Sequence, residues 1–87
     1  MITNKAQSLE FCINPASHDG LHLQIRKQIE YYVTVGRLRV GDTLPTIREL
    51  EAQLGINRHT IRRAYQDLAA RGLLVVRRGA RSVVASL

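Results

Sequence analysis

The chain has 87 residues, of which 45% are apolar and 23% are charged, with six glycines and two prolines. A chain of this length buries about 60% of the surface that its unfolded form exposes, which is enough for one compact core and excludes a second domain. The composition excludes a collagenous or disordered chain, and no apolar run approaches the roughly 20 residues that a membrane span needs.

The charge balance points to the kind of partner. Thirteen basic and seven acidic residues leave a formal net charge of +6, which favours a polyanion. Eleven of the cations are arginine, whose planar guanidinium suits bidentate recognition of phosphate or guanine. Composition alone leaves a generally basic surface open as the alternative. One cysteine and no apolar signal segment lead us to expect a cytoplasmic protein.

The N-terminal part, residues 1–18, is predicted to be an arm that precedes a folded domain over residues 19–87. Apolar and other residues alternate over residues 9–13, which predicts a short strand. Residues 14–17 then break any regular element, and Asp19 is the expected N-cap of the helix that follows.

Three helices are predicted after the arm. The first begins at Leu21, carries apolar residues at spacings of three and four, and ends before Gly36. Residues 37–40 are expected to be extended and to lead into a turn. The second helix begins at Thr46, because a Thr followed three residues later by Glu49 forms a capping box, and it ends at Gly55.

The third helix is predicted over residues 58–71, with Asn57 as its N-cap. At about 100° per residue one arc is apolar and the opposite arc is cationic. The apolar arc holds Ile61, Ala64, Tyr65 and Leu68, and the other arc holds Arg58, His59, Arg62, Arg63 and Gln66.

Two β-prone runs, residues 73–77 and 82–85, are joined by residues 78–81 and predict a two-stranded hairpin. The fold class is therefore mainly α with a small β-hairpin (α+β). Two helices joined by a tight turn and followed by a hairpin make a winged helix-turn-helix.

In a helix-turn-helix the second helix lies in the major groove of DNA, which is wide enough for one helix. The third helix here presents three arginines and a histidine on its first turns. Like charges this close repel by a few tenths of a kcal/mol per pair, and an anionic ligand would relieve that cost. A solvated charged face is the structural alternative. The wing, residues 74–85, is predicted at the minor groove, whose negative potential attracts arginine.

The predicted DNA-binding residues have alternatives of their own. Each has a purely structural role as the alternative: Asn57 as a helix cap, Thr60 as a residue at the edge of the apolar arc, and Arg48 as a solvated surface residue. The functional role would be contact with phosphate or with a groove of DNA. The full predicted set is Thr46, Arg48, Asn57, Arg58, His59, Thr60, Arg62, Arg63, Arg78, Gly79 and Arg81.

Catalysis is not indicated. The three histidines, His18, His22 and His59, have no metal-ligand spacing among themselves or with Cys12, and the carboxylates are scattered. No glycine-rich phosphate loop is present. We therefore expect no enzyme activity, no metal and no cofactor.

Several stretches resemble the N-terminal DNA-binding domain of the GntR family of bacterial transcription regulators. They are residues 36–38, 41–50, 54–57, 60–61 and 72–73. Within the family the chain looks most like the YtrA-like subgroup or the regulators fused to an aminotransferase-like domain. One departure is the wing tip, where residues 78–82 replace the family's Gly-x-Gly-Thr pattern.

The resemblance implies a symmetric homodimer on a two-fold operator. It maps the family's DNA contacts onto Arg48, onto residues 58–60, 62 and 63, and onto Gly79. The family's C-terminal effector or dimerisation segment is absent from these 87 residues, so we expect either a fragment or an unusually short member. The alternative function is a winged-helix module that binds an acidic protein.

Overall fold

The computed structural model describes residues 9–77 and 81–86. Helices α1, α2 and α3 and strands β1 and β2 follow one another, with bounds Leu21–Thr34, Ile47–Leu54, Arg58–Ala70, Leu74–Val75 and Val83–Val84. The two strands are antiparallel, with Leu74 opposite Val84 and Val75 opposite Val83. The predicted three helices and two-stranded wing are confirmed.

Helix α3 lies at the centre of the core and contacts α1, α2 and β1. Its buried residues are those that the apolar arc predicts, Ile61, Ala64, Tyr65 and Leu68. They pack against apolar side chains of every other element: Leu9, Phe11, Ile25, Ile29, Val33, Leu38, Leu44, Leu50, Leu74 and Val84. Because the apolar arc of α3 is buried in this core, the opposite arc of the helix faces outward.

The predicted caps of α2 and α3 are confirmed. The Thr46 hydroxyl accepts a hydrogen bond from the amide of Glu49 (3.0 Å), and the Asn57 side chain accepts one from the amide of His59 (2.7 Å). Gly55 ends α2 in the left-handed conformation with φ of 66°, a backbone geometry that favours glycine. The helix-turn-helix therefore has locally encoded boundaries.

The predicted cap of α1 is wrong. Gly20 occupies the N-cap position and makes no side-chain cap bond. The carboxylate of Asp19 instead accepts a hydrogen bond from Nζ of Lys27 at 2.9 Å. An ion pair two turns along the helix thus competes successfully with the local cap.

The predicted strand at residues 9–13 is also wrong, since the structure assigns no strand there. The amide of Cys12 donates to Oε1 of Gln28 (2.8 Å), the Gln28 amide donates to the carbonyl of Cys12, and the Tyr32 hydroxyl donates to the carbonyl of Glu10. Side chains of α1 therefore supply the bonds that a neighbouring strand would supply.

Strand β2 also pairs along its other edge with residues 41–44, the segment that leads into α2. Thr43 forms a bridge with Val83, and the amide of Leu44 donates to the carbonyl of Ser82 at 2.9 Å. The extended piece predicted at residues 37–40 is wrong, because those residues form bends and a turn and the pairing comes after them. The wing is thus anchored directly before the helix-turn-helix.

Candidate nucleic-acid interface

The basic side chains of α3 all lie on its outward-facing side. Arg58, His59, Arg62 and Arg63 are all exposed, as the predicted cationic arc requires. In the part of the chain that the structure describes, no carboxylate lies within ion-pair distance of Arg58, Arg62 or Arg63. Their charges are therefore not neutralised by any carboxylate in the described part of the chain.

The two cations of α1 itself, Arg26 and Lys27, are paired. Arg26, whose side chain is only 13% exposed, lies 2.9 Å from Glu30 and 3.0 Å from Asp67. The Arg26 Nε contact with Asp67 meets the ion-pair distance without hydrogen-bond geometry, so it is chiefly electrostatic. Arg71 also approaches Asp67, at 3.4 Å. The contrast leaves the first turns of α3 with uncompensated positive charge.

A cleft of about 250 Å³ lies between the start of α2 and the wing. Its lining residues come from α2 and its cap, from the middle of α3 and from the wing: Thr46, Ile47, Arg48, Tyr65, Val76, Arg77 and Ser82. Arg48 and Arg77 are both exposed, and no described carboxylate pairs with either. The cleft thus joins two cations from different elements.

Sequence reasoning did not select Arg77 as a site residue. The signal that could have found it is its position after β1 and directly before the hairpin tip; the structure places it in the cleft lining with Arg48 of α2. Arg78 and Gly79, which were predicted to contact DNA, lie outside the described residues.

Helical geometry relates the cationic face of α3 to the cleft. At 3.6 residues per turn, Arg58 and Arg62 fall about 20° and about 60° from Tyr65 around the helix axis. Because Tyr65 lines the cleft, these two arginines lie on the cleft side of α3. His59 and Arg63 fall about 120° and about 160° from Tyr65, which turns them away from the core.

The polar cap residues keep donors for a ligand. In both caps the side-chain oxygen is the acceptor, so the hydroxyl proton of Thr46 and the amide protons of Asn57 are not used by the cap. Thr60 is half-buried, and its amide bonds to the carbonyl of Asn57. These groups lie at helix N-termini, where the partial positive charge favours an anion.

Arg81 differs from the other predicted contacts, because its guanidinium is paired. Nη1 lies 3.0 Å from Oε2 of Glu49, and Nη2 lies 2.5 Å from Oε1. The capping-box pattern assigns the Glu49 carboxylate to the cap amide of α2, whereas the structure pairs it with the wing.

Tyr65 is buried beside this pair. Burial raises the pKa of its phenol above its ordinary value, the negative charge of Glu49 raises it further, and the positive charge of Arg81 opposes the shift. The phenol remains protonated and donates to the carbonyl of Pro45 at 2.5 Å.

The described cations on the first turns of α3 suit an anionic ligand. Within residues 9–77 and 81–86, no group of three or more His, Cys, Asp or Glu side chains is placed to hold a metal ion. Nor is any helix in those ranges long and apolar enough to cross a membrane. Fold and surface together define a winged helix-turn-helix with a basic recognition face.

The chain belongs to the gntR family of bacterial regulatory proteins, whose family model matches residues 21–84. It is 36% identical over 76 residues to the pyridoxine biosynthesis transcriptional regulator PdxR of Corynebacterium glutamicum, covering 87% of this chain and 17% of PdxR. The chain therefore spans less than a fifth of that relative's length.

The similar solved structures include a GntR-family transcription factor and a DNA-binding domain bound to its operator. YtrA from Sulfolobus acidocaldarius, a GntR-family transcription factor, superposes with a TM-score of 0.80 at 39% identity, covering 88% of this chain and 81% of YtrA. The DNA-binding domain of AraR in complex with operator ORX1 superposes with a TM-score of 0.74 at 35% identity, covering 88% of this chain and 96% of that domain.

Proposed function

We propose that this chain binds double-stranded DNA sequence-specifically as the DNA-binding part of a bacterial transcription regulator. Helix α3 enters the major groove and the wing, residues 74–85, approaches the minor groove. The observation that carries the proposal is the set of exposed arginines on the first turns of α3, which no described carboxylate neutralises. A surface of this kind matches the charge and the dimensions of a duplex groove.

The proposed DNA-binding residues fall into two groups, those that can reach base edges and those that contact phosphate. Arg58 and Arg62, with His59, are the candidates for reading base edges, because they lie on the N-terminal turns of α3. Phosphate contacts fall to the remaining residues, which position the protein without specifying sequence. These are Thr46, Arg48, Asn57, Thr60 and Arg63, with Arg77 added from the cleft. Contacts by Arg78 and Gly79 stay predictions.

The comparisons support this proposal. The AraR domain was solved in complex with an operator, and it matches this chain over 96% of its own length. PdxR and YtrA are both described as regulators of transcription. A regulator acts on chromosomal DNA, so we infer a cytoplasmic location. The described residues of the DNA-binding site support no enzyme activity.

We also propose that the regulator acts as a homodimer on a two-fold operator. Tyr31 near the end of α1 and its C-cap residue Val35 lie one turn apart and are 62% and 50% exposed. They are candidates for a contact between subunits. Sedimentation of the chain with and without a duplex carrying two half-sites one helical turn apart tests this arrangement.

A module that binds an acidic protein is the second candidate, because the same exposed apolar residues and basic face suit such a partner. Competition separates the two functions. The chain is bound to a labelled duplex, and either unlabelled duplex or polyglutamate is added at equal ionic strength. We expect displacement by duplex at far lower concentration; equal displacement by polyglutamate would favour the module.

Sequence specificity is tested by selection. The chain is used to enrich duplexes from a random-sequence pool, and the enriched and scrambled duplexes are compared at 0.15 M salt, roughly physiological ionic strength. We expect a discrete enriched motif that binds at least about tenfold more tightly than its scrambled form. A pool that stays random after repeated rounds would contradict the proposal.

A further inference from the structure

A close ion pair between Arg81 and Glu49 links the wing to the first turn of α2. Both oxygens of the Glu49 carboxylate lie close to the Arg81 guanidinium: Nη1 donates a hydrogen bond to Oε2 at 3.0 Å, and Nη2 lies 2.5 Å from Oε1 as an ion-pair contact. Nη1 of Arg81 also lies 3.4 Å from the carbonyl oxygen of Leu44. Arg81 therefore contacts both α2 and the segment before it.

Backbone pairing explains why Arg81 reaches this position. Thr43 faces Val83, and the Leu44 amide bonds to the Ser82 carbonyl, so the same antiparallel register places Arg81 opposite Pro45. Pro45 directly precedes Thr46, the N-cap of α2, and Glu49 lies in the first turn of that helix. The pairing of β2 with residues 41–44 therefore places Arg81 beside the start of α2.

Electrostatics favours the pair in this place. An unpaired cation at a helix N-terminus is repelled by the helix dipole, whereas Glu49 is attracted by it. The two side chains are 28% and 37% exposed, so solvent screens them only in part. The neighbouring Tyr65 phenol feels both charges. Arg81 is consequently neutralised by Glu49, whereas no described carboxylate pairs with Arg62 or Arg63.

We propose that Arg81 is a positioning residue for DNA binding: its pair with Glu49, here called the wing clamp, fixes the wing against α2. The inference rests on the proposed DNA-binding function and replaces the expectation that Arg81 contacts DNA. Arg81 stands in the stretch, residues 78–82, that departs from the family's Gly-x-Gly-Thr pattern.

The clamp predicts coupling in the absence of DNA. Arg81→Gln, Glu49→Gln and the double variant are made in the full chain, and urea unfolding is followed by circular dichroism. Each single variant lowers the urea midpoint, and the double variant lowers it no further than the more damaging single variant, because either change removes the same pair. Additive losses would overturn the clamp.

DNA binding then separates positioning from contact. The wing clamp predicts that Arg81→Gln and Glu49→Gln each weaken binding to the selected duplex by roughly three- to tenfold. Arg81→Gln leaves the slope of log K against log salt unchanged, whereas loss of a phosphate contact would reduce it by about 0.9. If Arg81 contacted phosphate, Glu49→Gln would release it and tighten binding.

Two matched variants correct for net charge. Lys27→Gln removes a paired cation from α1, and Glu51→Gln removes a carboxylate from α2 itself. Each is compared with the clamp variant of the same charge change. Arg81→Lys provides a second check, because it keeps the positive charge and loses the planar guanidinium. The clamp predicts weaker DNA binding with an unchanged salt slope, whereas a simple phosphate contact predicts binding near that of the wild type.

The outcomes are distinct. A wild-type chain without affinity for duplex DNA would overturn the proposed function, and with it the role of the clamp in DNA binding. Normal wild-type binding combined with a reduced slope for Arg81→Gln, or with tighter binding for Glu49→Gln than for Glu51→Gln, would overturn the clamp alone.

Discussion

The phenol of Tyr65 donates a hydrogen bond to the carbonyl oxygen of Pro45 at a distance of 2.5 Å. Tyr65 is only 1% exposed. The bond joins the middle of α3 to the residue before the N-cap of α2. The hydrogen bond therefore links the two helices of the helix-turn-helix, and the nearby Arg81–Glu49 pair links α2 to the wing.

Tyr65→Phe should destabilise the fold at neutral pH. The change keeps the ring in the core and leaves the Pro45 carbonyl without its donor, which costs about 1–3 kcal/mol of unfolding free energy for a buried polar group. Urea unfolding of the two proteins measures the difference. An unchanged midpoint would show that the bond contributes nothing.

The same pair of proteins should differ in pH dependence. The folded pKa of Tyr65 is raised, so above the ordinary value of about 10 the unfolded chain loses the phenolic proton before the folded chain does. The stability contributed by Tyr65 is complete below that pH and falls as the pH rises, by up to about 1.4 kcal/mol per unit. Tyr65→Phe lacks this loss. Parallel stability curves above pH 10 would contradict it.

Asn57→Ala should remove the cap of α3. We expect a loss of about 1 kcal/mol in unfolding free energy, because the His59 amide loses its acceptor. Asn57→Ser, which retains an acceptor oxygen, should restore most of the stability. If Asn57→Ser restores stability and not DNA affinity, the Asn57 amide contacts DNA in addition to capping.

Gln28→Ala should free the segment that replaces the predicted strand. Gln28 both donates to and accepts from the backbone of Cys12, so its loss removes two bonds at once. We expect faster amide hydrogen exchange at Cys12, with protection of the α3 amides unchanged. Unchanged exchange at Cys12 would mean that burial of Leu9 and Phe11 alone holds the segment.

Arg62→Ala should cost about 1–3 kcal/mol on the selected duplex and relax preference at one base pair, as expected for a base contact. Arg63→Ala is the matched comparison from the same turn. It should weaken binding to selected and scrambled duplexes alike and lower the salt slope by about 1. Equal loss on both duplexes for Arg62→Ala would assign that residue to phosphate.

The helix-turn-helix was predictable because its signals are local. Thr46 and Asn57 cap helices that begin one residue later, and Gly55 ends α2 in a conformation that glycine adopts easily. The period of the apolar residues also separates the buried arc of α3 from its cationic arc. These features depend on neighbours within a few positions of the chain.

The remaining features depend on distant partners. Asp19 fails as a cap because Lys27 pairs with it, and residues 9–13 form no strand because side chains of α1 satisfy their backbone. Arg81 and Glu49 are 32 residues apart, and only the register of β2 against residues 41–44 brings them together. Sequence patterns within one element carry no such information.

A salt titration of the wild-type chain with the selected duplex tests the central claim most directly. If each subunit neutralises roughly five phosphates through the unpaired arginines and the helix N-termini, log K should fall against log salt with a slope of about −4 to −5 per subunit. A slope near zero would show that these cations do not meet the DNA backbone, and would contradict the account.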